Sequence, residues 1–259
     1  GFGGRTGAPG HGWRAQWADR HGWLLVRPDG RGSQNWDGIG EDDLFLVLAD
    51  LQQATSHHPA LNVDTDRLYV EGGSMGGHGA FRVATRHAGT FAAVAPVAGW
   101  TKFQEFYRHW YDVADKPHFP AYVDPARLPL LETASSIRQA ENARCSWMYV
   151  TFDTNDGINP PHNALDYVKS VRRTGSVRVA TKQGAAGHCG SNSAEHNYTF
   201  FLDKTRDAYP RTVVFTTNTV RHNRAHWVTV DRLRLQNTWA RIEAQVKGQE
   251  IGVRTRGVL

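Results

Sequence analysis

The serine in Gly72-Gly73-Ser74-Met75-Gly76 is the residue whose setting points most directly to chemistry. It follows a strand-like run, Arg67-Leu-Tyr-Val-Glu71, and precedes a small-residue helical run from Gly77 to about His87. A G-x-S-x-G between strand and helix forms a sharp turn that pushes the hydroxyl clear of the sheet, as a nucleophile elbow does. So tight a turn predicts flanking positions that tolerate little more than a hydrogen. A hydroxyl alone is a poor nucleophile. It needs a base to take its proton and a carboxylate to fix and stabilise that base.

Candidates for both partners lie downstream. Ser146-Trp-Met-Tyr-Val-Thr-Phe152 reads as a buried strand and runs into Asp153-Thr-Asn-Asp156-Gly-Ile-Asn-Pro160. A carboxylate just past a strand's carboxyl end stands where a parallel sheet gathers its functional groups. Ser176 to Lys182 is a further strand, and the glycines of Gly184-Ala-Ala-Gly187-His188-Cys189-Gly190 suit a loop that swings an imidazole over the sheet. The order is Ser74, Asp156, His188. Asp153 is the rival acid, because an Asp among Thr, Asn and Gly also makes Asx-turns. Asp166, inside the next helix, is a distant third. Charge developing on a substrate carbonyl needs two backbone N–H donors. Met75, which follows the nucleophile, is one. The opening Gly1-Phe2-Gly3-Gly4-Arg5-Thr6-Gly7 is the source of the other, with Phe2 ahead of Gly3. That glycine run lacks the Lys-Ser/Thr ending of a phosphate cradle.

The segment Asp64 to Ala80 resembles the nucleophile region of the prolyl-oligopeptidase-type group of α/β-hydrolases, which includes feruloyl-esterase-like enzymes. Gly1-Phe-Gly-Gly is similar to the end of the group's His-Gly-x-Gly-Gly oxyanion loop, and Arg27-Pro-Asp-Gly-Arg-Gly32 to its P-x-x-R-G turn. Gly38-Ile-Gly-Glu-Asp-Asp43 is similar to the group's entry into the helix before the nucleophile strand. Phe152 to Pro160 resembles the H-G-x-x-D-x-x-V-P acid loop and supports Asp156, with Phe152 and Asp153 in place of His-Gly. The resemblance covers most of residues 1–209. It implies an α/β-hydrolase fold, a mostly parallel sheet flanked by helices, with the order nucleophile, acid, histidine. It also implies strands ahead of the oxyanion loop that this sequence does not contain, so the chain is read as part of a longer one. Ile251 to Leu259 stops in strand-like sequence, which points the same way.

The elements that must position these groups alternate as a parallel sheet requires. Gly22 to Arg27 reads as the first strand. Glu41 to about Thr55 reads as a helix with Leu44, Val47, Leu48 and Leu51 on its inner stripe. Phe91 to Ala98 is the strand after the elbow helix. Pro161 to Thr174 is a second helix, begun at a proline and ended by Gly175, with Leu165, Val168 and Val171 on one stripe. Residues 99–144 form an aromatic-rich insertion where hydrolases carry a cap. Trp100, Phe103 and Trp110 there are candidate substrate-binding residues, with Phe106, Tyr107, Tyr111, Phe119 and Tyr122 nearby; ordinary packing explains such aromatics equally well. The catalytic domain is placed at 1–209. Residues 210–259 form a small antiparallel β module, because Ala240, Ile242, Ala244 and Val246 alternate with polar residues and Gly248-Gln249 turns the chain. That module either braces the domain or binds a polymer, and bracing is favoured.

At 259 residues with 40% hydrophobic content and a mean hydropathy of −0.53, the chain reads as a globular enzyme with no membrane span. A net charge of +5 could steer anionic partners, but Lys and Arg are scattered and no nucleic-acid motif appears. Cys145 and Cys189 form neither a disulfide framework nor a metal-ligand set. A bond between the two and two separate thiols are both open. No cofactor and no metal are expected, and a secreted or periplasmic location is expected. The function expected is cleavage of small or polymeric carboxylic esters by Ser74, His188 and Asp156. The alternatives are a serine peptidase of the prolyl-oligopeptidase type and an inactive polymer- or carbohydrate-binding protein.

Overall fold

A computed structural model describes residues 12–32, 34–58, 61–106 and 132–259. The chain divides into two compact units, one ending at Thr65 and one running from Asp66 to Leu259.

The first unit carries two helices. Helix α1 (Trp13–His21) stacks Trp13 on Trp17, and Trp17 on His21, at ring separations of 5.2 and 4.5 Å, the i,i+4 neighbours of one face. Gly22, at φ +65°, caps it by donating its N–H to Ala18 and Asp19. The strand expected over Gly22–Arg27 is not formed: the run has no ladder among the described residues, and Leu24 and Val26 are exposed. An apolar run becomes a strand only when a neighbour supplies its hydrogen bonds, and here its first residue is used to stop a helix. Helix α2 (Ile39–His57) has Glu41 and Asp42 in its first turn, at the positive end of its dipole. Leu44, Val47, Leu48 and Leu51 are half-buried. Asp43 ties the Arg27–Gly32 turn to this helix, accepting the Gly30 N–H and the Arg31 guanidinium at 2.9 Å each.

The second unit is built on a four-stranded parallel sheet in sequential order. Its strands and helices are β1 (Tyr69–Gly73), α3 (Met75–Arg86), β2 (Ala93–Val97), β3 (Trp147–Asp153), α4 (His162–Arg172), β4 (Val179–Gly184) and α5 (Ala194–Phe201). Registers Tyr69↔Ala93↔Trp147 and Tyr149↔Ala180 put Tyr69, Glu71 and Tyr149 on one face. Helix α5 covers that face. Phe201 stacks on Tyr69 at 4.9 Å and Phe200 on Tyr149 at 5.3 Å, while Asn197 and Tyr198 donate to Glu71. On the other face the backbone of α3 lies against Gly72, and Phe81 of α3 meets Tyr167 of α4 at 4.5 Å. Phe81 and Tyr167 are fully buried, and each such side chain contributes roughly 1.5–3 kcal/mol. Leu165 does not share their stripe. It is exposed, while Ala164, Tyr167, Val168 and Val171 face inward, because position 165 falls about 100° around the helix from Ala164.

The insertion returns to the sheet through a 3₁₀ segment, Ser136–Cys145. Tyr107, Trp110, Tyr111, Phe119 and Tyr122 lie outside the described residues. Beyond Pro210 a second sheet forms from β5 (Thr212–Thr217), with the short pair β6 (Arg224–Ala225) and β7 (Val228–Thr229) beside it, and the hairpin β8 (Ala240–Lys247) and β9 (Glu250–Arg256). Its order is β5-β8-β9 and all its pairs are antiparallel. Gly248, at φ +62°, turns the hairpin. One face buries Val213, Phe215, Ala240 and Ala244 together with Ala88, just past α3. At the open edge of β5, Asn142 exchanges hydrogen bonds with the backbone of Thr216, at 2.7 Å from its N–H and 2.9 Å to its carbonyl. Among the described residues no helix is long and apolar enough to cross a membrane.

The elbow glycines are not equivalent. A Cβ on Gly72 would lie 2.3 Å from the Gly76 backbone, one on Gly77 2.4 Å from the Val97 carbonyl, and one on Gly99 2.3 Å from Gly77. A Cβ on Gly76 meets nothing within 4 Å. The expectation that both flanking glycines are crowded therefore holds for Gly72 alone. The second tight position is Gly77, where helix backbone crosses strand end. We expect Gly76→Ala to fold and melt at or above the wild-type temperature, since alanine favours a helix by up to about 1 kcal/mol over glycine. Gly77→Ala should fail to fold or melt far lower; a wild-type-like melting curve for Gly77→Ala would contradict this packing.

Candidate active site

Parallel strands deliver their following residues to one edge of the sheet, and the candidate groups follow β1, β3 and β4 there. Ser74 caps α3 at φ +56° and ψ −116°, a backbone region that costs a non-glycine residue about 1–3 kcal/mol. It is held by its own N–H donating to Val97 O at 2.9 Å and by its carbonyl accepting from His78 at 3.0 Å. Met75 opens the helix, so its N–H has no acceptor within that helix. Phe2 and Gly3 lie outside the described residues.

The structure brings Ser74, His188 and Asp156 together. Ser74 Oγ lies 2.8 Å from His188 Nε2, and His188 Nδ1 lies 2.9 and 3.0 Å from the two oxygens of Asp156. With Nδ1 carrying the proton to the carboxylate, Nε2 is left to accept from the serine hydroxyl. The Asp156 carboxylate, and after it the Cys189 side chain, raise the imidazole pKa well above its ordinary value, against the opposing effect of burial. Asp156 is itself fixed by N–H donors from Ile158 and Asn159, at 2.9 and 2.8 Å. The Asn159 carboxamide reaches across to Ala98 O at 2.6 Å, which pins the acid loop to the end of β2. Sequence reasoning passed over Asn159. Its position three residues after the acid and directly before Pro160 is the one local signal the sequence carries for it.

Asp153 has a different place from Asp156. It is fully buried and accepts from Ala186 N at 2.9 Å, from Ser191 N at 3.3 Å and from the Ser191 hydroxyl. Burial pushes its carboxyl pKa up, but the bonds from Ser191 and Ala186 outweigh this and hold it below the ordinary carboxylate value. Its partners bracket His188, so Asp153 staples the loop that carries the imidazole. Thr154 N and the Asn155 carboxamide add bonds to Gly184 O and Ala185 O, at 2.8 and 3.0 Å. Asp166 is elsewhere, paired with Lys102 at 2.7 Å.

Trp100 is buried, stacked on His78 at 4.4 Å and on Phe106 at 3.8 Å. That sandwich makes it core and leaves no open face for a substrate. Phe103 is half-buried, tilted toward His78 at 6.3 Å, and Trp110 is not among the described residues. The buried His78 donates Nδ1–H to Trp100 O at 2.8 Å; burial, then the nearby Arg82, holds its pKa well below the ordinary value. Both cysteines are free thiols. Cys145 precedes β3 and Cys189 follows β4, so the length of a strand separates them, far beyond the roughly 7 Å that a disulfide can bridge between Cα atoms.

A parallel sheet with helices on both faces, a strained serine at a strand-to-helix turn and the order Ser, Asp, His define an α/β-hydrolase. Residues 9–205 match the model of the prolyl oligopeptidase family, and the chain belongs to that family. The resemblance read from the sequence is thereby borne out. Over 83 residues, 32% of this chain and 12% of the relative, it is 35% identical to the bifunctional acetylxylan esterase/xylanase XynS20E of Neocallimastix patriciarum. Similar solved structures include an acylaminoacyl peptidase in complex with Z-Gly-Gly-Phe-chloromethyl ketone, at TM-score 0.49 and 16% identity over 60% of this chain and 26% of that one. A thermostable esterase aligns at TM-score 0.42 and 16% identity over 62% of this chain and 37% of that one. The chain thus spans well under two thirds of the length of each.

Removing the buried Asp153 carboxylate leaves the partly buried N–H groups of Ala186 and Ser191 without their acceptor, at up to about 1–3 kcal/mol in all. Asp153→Ala should therefore lose stability on that order in urea titrations. Because the folded carboxyl pKa is depressed, its contribution is full above the unfolded value of about 3.9 and fades as pH falls through the lower folded value. Asp153→Asn should correspondingly flatten the acid limb of the stability curve. An unchanged limb would rule the staple out.

Proposed function

We propose that this protein is a serine hydrolase that cleaves carboxylic esters through an acyl-enzyme intermediate. The observation that carries this reading is the hydrogen-bonded chain from Ser74 Oγ through His188 to Asp156, set at the carboxyl edge of a parallel sheet. Ser74 Oγ attacks the ester carbonyl as His188 Nε2 takes its proton, while Asp156 holds the tautomer and stabilises the imidazolium. The Met75 N–H is a donor for the charge that develops on the carbonyl oxygen. His188 then protonates the departing alkoxide. Water, deprotonated by the same imidazole, adds to the acyl group and releases the acid and Ser74.

Membership of the prolyl oligopeptidase family favours a second reading, in which the same groups cleave an amide. The local likeness to an acetylxylan esterase/xylanase supports the ester reading. The complete chain of hydrogen bonds weighs against an inactive binding protein, because that role has no use for a strained serine aligned on an imidazole.

A fluorophosphonate probe should label Ser74, and Ser74→Ala should lose both the label and hydrolysis of short p-nitrophenyl esters, with kcat down by about 10⁶. Full activity in Ser74→Ala would sink the mechanism. Turnover of peptides without any ester turnover would favour the second reading. The base works only when neutral, so with its pKa raised by Asp156, kcat/KM should climb with pH to a midpoint above the ordinary histidine value of about 6.5. Asp156→Asn should move that midpoint down and cut kcat by about 10⁴. A midpoint that ignores the substitution would remove Asp156 from its role.

A further inference from the structure

Two cavities of about 540 and about 400 Å³ open on the charged face of the β5-β8-β9 sheet. Neither is lined by Ser74, His188 or Asp156. They share Glu141 and Arg241 and so form one groove across the hairpin, the 3₁₀ segment and the end of α4. Arg138, Arg144, Arg173, Arg241, Arg254 and Arg256 line it, and no lysine does.

Its two carboxylates are already engaged. Arg241 Nε lies 3.0 Å from Glu141 and its Nη1 3.2 Å from Glu243. Arg138 pairs with Glu132, and Arg144 donates to Thr174 O. The side chains of Arg173, Arg254 and Arg256 make no hydrogen bond or ion pair among the described residues. Strand register sets Arg256 directly opposite Arg241 and Arg254 opposite Glu243. Glu141 and Glu243 already balance Arg241, so the charge left over in the groove is that of Arg173, Arg254 and Arg256. Guanidinium is the cation whose planar fork fits carboxylate, sulfate or phosphate in two-point contact.

We propose that this groove binds an anionic polysaccharide, a sugar chain bearing carboxylates on successive units. Arg254 and Arg256 project on one face about 7 Å apart along the strand, and Arg173 stands in the adjoining cavity. One small oxyanion fills one fork, whereas a chain with repeated charge engages all three. Ser170 also lines the groove and offers a hydroxyl to a sugar. No aromatic side chain lines either cavity, so nucleic-acid bases have nothing to stack on.

Native affinity electrophoresis of the full chain through gels containing polygalacturonate, dextran or double-stranded DNA tests this. Polygalacturonate should retard the protein and added salt should release it, while dextran leaves mobility unchanged. Arg254→Ser combined with Arg256→Ser, at exposed positions, should weaken retention about tenfold while p-nitrophenyl ester hydrolysis stays at the wild-type rate. Arg254→Lys with Arg256→Lys keeps the charge and should still weaken retention, because the fork is lost. Ser74→Ala should bind as the wild type does, which keeps this outcome separate from that of the hydrolase mechanism. Retention unchanged in the double serine variant, lost in Ser74→Ala, or equally strong in DNA would overturn the assignment.

Discussion

The Val97 carbonyl is the contact on which the arrangement of the second unit turns. It accepts the Ser74 N–H at 2.9 Å, and a Cβ on Gly77 would come within 2.4 Å of it. Helix α3 can therefore start directly over the end of β2 only because Gly77 has no side chain. Gly72 and Gly99 serve the same close approach from either side. The strain held at Ser74, about 1–3 kcal/mol, persists because strand pairing before it and helix bonding after it leave the backbone no alternative. A serine one residue earlier or later would relax into ordinary strand or helix.

Given that fixed serine, the remaining task is to hold an imidazole on a glycine-rich loop. Two carboxylates three residues apart divide it. Asp156 contacts the ring and is oriented by backbone donors, while Asp153 is buried and grips the loop on both sides of His188. The loop cannot tighten by itself, since Gly187 adopts φ +86° and Cys189 +59°. A flexible loop pays for ordering in conformational entropy, and the Asp153 bonds offset that cost away from the reacting atoms. The acid loop is tied in turn to β2 through Asn159 and Ala98, so a shift in any one strand end is felt at the others.

Much of this was legible in residue order. The elbow, the acid and histidine loops and the C-terminal hairpin all carry local signals in glycine placement and hydrophobic period. Less legible were features that depend on a partner distant in the chain. Gly22–Arg27 has the composition of a strand but ends a helix instead. Sequence left Trp100 open to substrate binding or to ordinary packing, and it is a ring packed between His78 and Phe106. The arginines looked scattered because their spacing along the chain is irregular, yet antiparallel register and the 3₁₀ segment gather six of them on one face.

By itself the sequence picked out the candidate groups: which serine, which histidine, their order and the strands that deliver them. These follow from local turn requirements and alternation, which any stretch of chain carries within a few residues. Only the tertiary structure decided between Asp153 and Asp156, because both follow the same strand and both are carboxylates. The choice rests on which oxygen lies beside His188 Nδ1 and which accepts from Ala186 and Ser191. Those distances join residues about thirty positions apart, and no local pattern encodes them.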